Sequence, residues 1–136
     1  MRTERSAPTV LLVDDDEMDR FLVGLALAAA GYRVVEAPCA ATGLDLARRE
    51  RPDVMVMDCV MPVIDGLDAC RTARADAVLR DVPIVMLTGL EDPRLAERAR
   101  TAGADRVILK STDTAPLLDA LSLALRAKRV PAGLHA

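Results

Sequence analysis

Short apolar runs recur five times along this chain, and each is followed by a stretch with helical periodicity. Thr9-Val10-Leu11-Leu12-Val13, Val54-Met55-Val56-Met57 and Pro83-Ile84-Val85-Met86-Leu87 carry no polar alternation, the pattern of strands buried on both faces. Arg33-Val34-Val35-Glu36-Ala37 is more polar and reads as a strand nearer a sheet edge, and Arg106-Val107-Ile108-Leu109 reads as a fifth. Helices are expected over about Glu17 to Ala30, Thr42 to Arg49, Leu67 to Ala75, Pro93 to Ala102 and Thr114 to Arg129. In the first, Phe21, Leu22, Leu25 and Ala29 fall on one apolar face. Gly31 and Gly103 are natural helix stops. Pro116 suits a first turn, and Arg126, Lys128 and Arg129 suit the C-terminus of a helix. Strict alternation of strand and helix implies a parallel sheet covered on both faces, with right-handed crossovers. A length of 136 residues fits one domain.

Composition excludes several roles. The formal net charge is −3, with one Tyr, one Phe and no Trp, so no basic, aromatic-laced surface for nucleic acid is expected. The longest uncharged run, Phe21 to Tyr32, falls short of the roughly 20 apolar residues of a membrane span. Met1-Arg2-Thr3-Glu4-Arg5 has no apolar secretory core. Cys39, Cys59 and Cys70 lack CxxC spacing and read as reduced thiols of a cytoplasmic protein. Residues 1–7 and 130–136 read as flexible tails, the latter holding the lone His135 as a solvated side chain.

Chemistry collects where the strands end. The first run leads into Asp14-Asp15-Asp16, the third into Asp58, the fourth into Thr88 and the fifth into Lys110. In open α/β sheets, ligands bind outside the carboxyl ends of the strands, so these residues are expected to converge. Carboxylates of Asp14, Asp15 and Asp58 brought together would repel. Protonation relieves that repulsion, and a hard divalent cation does so better. Mg²⁺ takes oxygen ligands and keeps positions for phosphate. Its two charges and that of Lys110 balance three carboxylates. Blander readings exist for each residue alone. Asp15 or Asp16 suits a helix N-cap without a metal role, Thr88 an ordinary strand-end hydroxyl, and Lys110 a solvated lysine. The joint pattern carries the weight. Of 18 basic residues only Lys110 and Lys128 are lysine, a weak hint that residue 110 needs a compact ammonium.

At four places the sequence resembles the receiver domain of two-component response regulators. These are Leu11-Leu12-Val13-Asp14-Asp15-Asp16, Met57-Asp58-Cys59-Val60-Met61-Pro62 with Asp65-Gly66, Met86-Leu87-Thr88-Gly89, and Ala102-Gly103-Ala104-Asp105 leading to Lys110. The resemblance covers about residues 8–129 and implies a single flavodoxin-like (βα)5 domain, doubly wound, with strand order 2-1-3-4-5. It implies that Asp58 is the phosphoacceptor. Asp14, Asp15, Asp58 and the backbone carbonyl of Val60 would then bind Mg²⁺. Thr88, Gly89 and Lys110 would meet the phosphoryl group, with Gly89 leaving it room. The implied donor is a histidine kinase or histidine phosphotransfer protein. The implied output is a changed surface offered to a downstream target protein, with no nucleic acid or membrane involved. Such a protein is no enzyme in the usual sense, although it catalyses its own phosphorylation and dephosphorylation.

Three differences from the family pattern stand out, at four positions. Ser111 follows Lys110 where proline is usual, Val107 stands where a switching aromatic is usual, and Val60 and Leu90 border the acceptor where neither can orient water. The seven residues after the last helix leave no output domain, so a stand-alone receiver is expected. The alternatives are a receiver-fold interaction module not controlled by phosphorylation, or a piece of a larger hybrid kinase or regulator. A Mg²⁺-dependent phosphatase using the Asp14-Asp15-Asp16 segment is disfavoured, because the helix follows at once and Asp58 would be redundant.

Overall fold

The computed structural model describes residues 7–61 and 63–129. Apart from Ala7, the expected tails lie outside the described residues. The elements run β1 (Thr9–Val13), α1 (Glu17–Ala29), β2 (Arg33–Ala37), α2 (Ala40–Glu50), β3 (Val54–Asp58), α3 (Gly66–Ala75), β4 (Ile84–Thr88), α4 (Pro93–Ala102), β5 (Arg106–Leu109) and α5 (Ala115–Arg129). The strands form one sheet in the order β2-β1-β3-β4-β5, and each neighbouring pair is parallel. The parallel sheet with both faces covered is the one expected from the alternation, and its order is the doubly wound, flavodoxin-like one that the resemblance implied.

Side chains on a strand point alternately to the two faces. Leu11, Val13, Met55, Met57, Ile84 and Met86 enter one core, with residues of α2, α3 and α4. Val10, Leu12, Val54, Val56, Val85 and Leu87 enter the other, with Leu27 of α1 and Leu117, Ala120, Leu121, Ala124 and Leu125 of α5. Both faces are covered, which is why the central strands carry no polar alternation. β2 and β5 are the sheet edges, and their burial is correspondingly partial.

Helix α1 corrects the sequence reading. Phe21, Leu22 and Leu25 are 56%, 55% and 54% exposed, and Ala29 also faces outward, while Gly24 and Leu27 turn inward. The helix is apolar nearly all round, so periodicity alone does not select the buried side. Close approach to the sheet selects it: a methyl on Gly24 would lie 3.0 Å from Glu36 Oε2 and 3.9 Å from Leu12 Cδ2. Other boundaries move by a residue or two. β3 and β4 extend to include Asp58 and Thr88, α1 ends at Ala29, and α2 begins at Ala40, with Arg51 in the left-handed region at its end. No helix among the described residues is long and apolar enough to cross a membrane.

Candidate functional site

Three residues are the polar or charged groups buried among the described residues, namely Asp14, Asp58 and Thr88. All three stand at the C-terminal rim of the sheet. Asp14 directly follows β1, while Asp58 and Thr88 are the last residues of β3 and β4. Burying such groups is costly unless they are paired, so their concentration at one rim marks a site. Asp15, beside Asp14 but exposed, completes a cluster: one carboxylate oxygen from each of Asp14, Asp15 and Asp58 lies within 4.8 Å of the others.

Asp14 Oδ1 accepts a hydrogen bond from the Asp16 backbone N–H at 2.9 Å. Its Oδ2 is buried and has no hydrogen-bond partner. Burial raises the Asp14 carboxyl above the usual carboxylate range, and the charge of Asp58 adds to the effect, against the Asp16 hydrogen bond and the charge of Lys110. A buried carboxylate oxygen without a hydrogen bond, clustered with two more carboxylates, is the donor set a hard divalent cation prefers. The residues present therefore fit a metal ion of that class. Asp16 takes no part: its Oδ1 caps α1 by accepting the Asp19 N–H at 2.9 Å, the capping alternative raised above.

Lys110, the residue after β5, closes the site. Its Nζ donates to Asp58 Oδ2 at 3.0 Å and to Asp19 Oδ2 at 3.0 Å, and it lies 3.4 Å from Asp14 Oδ2. Burial alone would pull this ammonium down. The hydrogen bonds that it donates to Asp58 and Asp19, with the charges of Asp58 and Asp14, outweigh burial and hold Lys110 raised, hence protonated. Asp19 has no place in the sequence reading. It lies 91 residues from Lys110, and no local signal distinguishes it from another first-turn acid of a helix.

The remaining expected residues stand around this core. Asp58 Oδ1 accepts the Val60 N–H at 3.2 Å. Thr88 Oγ1 accepts the Leu90 N–H at 3.0 Å and donates to the Leu90 carbonyl at 3.4 Å, so the hydroxyl is engaged by its own loop. A methyl at Gly89 would meet nothing within 4 Å, leaving open space at the rim. Val107 packs on the α2–α4 core and lines a cavity of about 230 Å³ with Thr88, Leu90 and Pro93. The loop after Lys110 is tied by side chains instead of a proline: Ser111 Oγ accepts the Asp113 N–H and Asp113 Oδ1 accepts the Ala115 N–H, both at 3.0 Å. Cys59, adjacent to Asp58, is buried, and burial with the Asp58 charge pushes its thiol up to about 11, which makes it a poor nucleophile.

The family model for the response regulator receiver domain matches residues 10–122. The chain belongs to the receiver domain family. AfsQ1, a transcriptional regulatory protein of Streptomyces coelicolor, is 41% identical over 58 residues, which cover 43% of this chain and 26% of AfsQ1. This receiver thus spans well under two thirds of that relative's length. The chemotaxis protein CheY4 of Vibrio cholerae is similar in structure, with a TM-score of 0.83 and 31% identity over 88% of this chain and 100% of that one. The receiver domain of the sensor histidine kinase PA1611 of Pseudomonas aeruginosa, solved with a magnesium ion coordinated in its active-site cleft, gives a TM-score of 0.80 and 32% identity over 89% of this chain and 99% of its own. Receiver domains are signalling modules of two-component systems, phosphorylated by histidine kinases and acting on downstream targets.

Proposed function

We propose that this receiver, spanning residues 8–129, accepts a phosphoryl group on Asp58 in a Mg²⁺-dependent reaction. One observation carries the reading. The Asp58 carboxylate sits 3.0 Å from the Lys110 ammonium and in one cluster with Asp14 and Asp15, and Asp14 Oδ2 is buried there with no hydrogen bond. Asp14, Asp15, Asp58 and the Val60 carbonyl would hold the ion. When bound, Mg²⁺ supplies charge neutralisation for the phosphoryl oxygens. The magnesium reported in the cleft of the PA1611 receiver supports this assignment by similarity.

The rest is done by the chain's own groups. A carboxylate oxygen of Asp58 attacks phosphorus in line. The P–O bond forms as the P–N bond of a partner phosphohistidine breaks, and the imidazole leaves neutral, retaining the proton on its other nitrogen. Lys110 offers fixed positive charge to the transferring oxygens, which is positioning and electrostatic stabilisation. Gly89 leaves room for the group. The Thr88 hydroxyl would exchange its Leu90 partners for a phosphoryl oxygen, and this would bias the β4–α4 loop. Val107 supplies no ring to follow that movement. The output surface would be the α4–β5–α5 face, with exposed Arg94, Arg98 and Arg106 available to an acidic target. The donor is a histidine kinase or histidine phosphotransfer protein. A cytoplasmic location is part of the same proposal.

Mass spectrometry after incubation with acetyl phosphate and Mg²⁺ tests it. One phosphoryl group is expected on the wild-type protein and none on Asp58→Asn. Absence of uptake by the wild type would instead favour an interaction module of the same fold.

A further inference from the structure

We propose that Asp19 is a positioning residue for Lys110, a fourth carboxylate that keeps the ammonium at the acceptor site while Asp58 and Asp14 are otherwise engaged. The inference rests on the reading of Asp58 as phosphoacceptor.

An ammonium on a flexible four-carbon stem has three protons to donate and no rigid geometry of its own. Here it spans two strong acceptors, Asp58 Oδ2 and Asp19 Oδ2, each at 3.0 Å, with Asp14 Oδ2 at 3.4 Å. Two of these three carboxylates do not stay available. Phosphoryl transfer turns the Asp58 carboxylate into a mixed anhydride, and a divalent ion in the acid cluster draws on Asp14. Asp19 lies outside that cluster. It is therefore the anchor that persists through the reaction.

Its own placement is firm. Asp19 stands in the first turn of α1, with its backbone N–H held by the Asp16 cap at 2.9 Å. Asp19 and Lys110 both line a cavity of about 510 Å³, together with Leu22 and Val23 of α1 and residues after β5. The contact thus joins α1 to the residue that follows β5. It also alters the charge balance, since the ammonium is shared among three carboxylates, those of Asp58, Asp14 and Asp19, before any metal is bound. Placement of the ammonium is thereby gained at the expense of part of its positive field.

Two readouts test this. With acetyl phosphate at saturating Mg²⁺, Asp19→Asn should slow phosphoryl uptake about three- to tenfold. Asp19→Glu, which keeps charge and reach, should restore most of the rate. In the slower Lys110→Gln background, Asp19→Asn should change nothing further. An equal loss in both backgrounds, or no loss in the wild type, overturns the proposal. The second readout needs no phosphoryl transfer. The chain has two lysines, Lys110 and Lys128, so ¹⁵N-lysine spectra carry two ammonium signals. In metal-free and Mg²⁺-loaded protein, the Lys110 ammonium protons should exchange with water several-fold faster in Asp19→Asn, with Lys128 unmoved. An unchanged Lys110 exchange rate overturns the anchor outright. Should the wild type take up no phosphoryl group, the acceptor reading fails, and this exchange rate alone decides whether Asp19 anchors the ammonium.

Discussion

Gly66 packs directly against the backbone carbonyl of Asp58. A methyl group at residue 66 would overlap that oxygen and come within 2.6 Å of Met86 Cε. The Gly66 N–H also donates to the Cys59 carbonyl at 2.9 Å. This glycine is needed for close approach at the start of α3, and its φ is not positive. Gly66→Ala should therefore cost about 1–3 kcal/mol of stability through overpacking. Because the displaced atoms belong to Asp58, acceptor reactivity should fall with it. Urea denaturation measures the first effect and phosphoryl uptake from acetyl phosphate the second.

Asp14 yields a pH prediction. Burial holds its carboxyl above the usual range, so the folded protein binds this proton more tightly than the unfolded chain does. Below the unfolded-state value the group is neutral in both states and has no effect. As pH rises from there through the raised folded value, the buried charge subtracts stability, and the loss is complete above it. In metal-free protein at neutral pH, Asp14→Asn should then be more stable than wild type, by less than the roughly 1–3 kcal/mol of a fully unsatisfied buried group, because the Lys110 ammonium 3.4 Å from Oδ2 offsets part of that cost. The gain should vanish at low pH. Mg²⁺ should stabilise the wild type and not the variant. Denaturant titrations across pH, with and without Mg²⁺, check all three outcomes.

Val60 and Leu90 are 61% and 59% exposed, and neither side chain can hold a water molecule in line with an acyl phosphate. Self-hydrolysis should be slow. A polar residue at either position, Val60→Gln or Leu90→Asn, should shorten the phosphate half-life several-fold in a radiolabel chase. An unchanged or longer half-life would contradict the idea.

Arg74 fastens three carbonyls and a carboxylate. Its Nε donates to Gly103 O at 2.9 Å, its Nη1 to Arg80 O at 3.0 Å and Val82 O at 2.7 Å, and its Nη2 to Asp105 Oδ2 at 3.0 Å. Lysine has no planar fork to serve four acceptors. Arg74→Lys should cost about 1–3 kcal/mol, judged from the partly buried carbonyls left without donors. Thermal and urea unfolding would report it.

The outward turn of α1 gives a contrast between neighbours. Phe21→Ser and Leu25→Ser should change stability by no more than about 0.5 kcal/mol, while Leu27→Ala, fully buried, should cost about 2–5 kcal/mol. A large loss at Phe21 would mean that the helix is rotated from the orientation described.

These residues also mark what a linear reading can reach. The sheet was legible because buried parallel strands leave unbroken apolar runs such as Val54 to Met57. The rim was legible because Asp14, Asp58, Thr88 and Lys110 each terminate such a run, and a parallel sheet aligns its carboxyl ends. The inward face of α1 was not, because a helix apolar on most sides offers periodicity several choices, and contact with β1 and β2 makes the selection. Nor was Asp19, whose partner depends on the separation of α1 and β5. The Thr88 hydroxyl shows a further limit: its residue type marks the position, while its present partner, the Leu90 backbone, is a matter of loop conformation.

The sheet order has one more consequence. The acid pair, the acceptor, the hydroxyl and the lysine come from four different βα units, and the lysine arrives with the last strand at the sheet edge. During synthesis, no partial chain short of β5 brings the five together. The assembled rim therefore appears late and all at once, and any function that needs all five groups has to wait for the last strand.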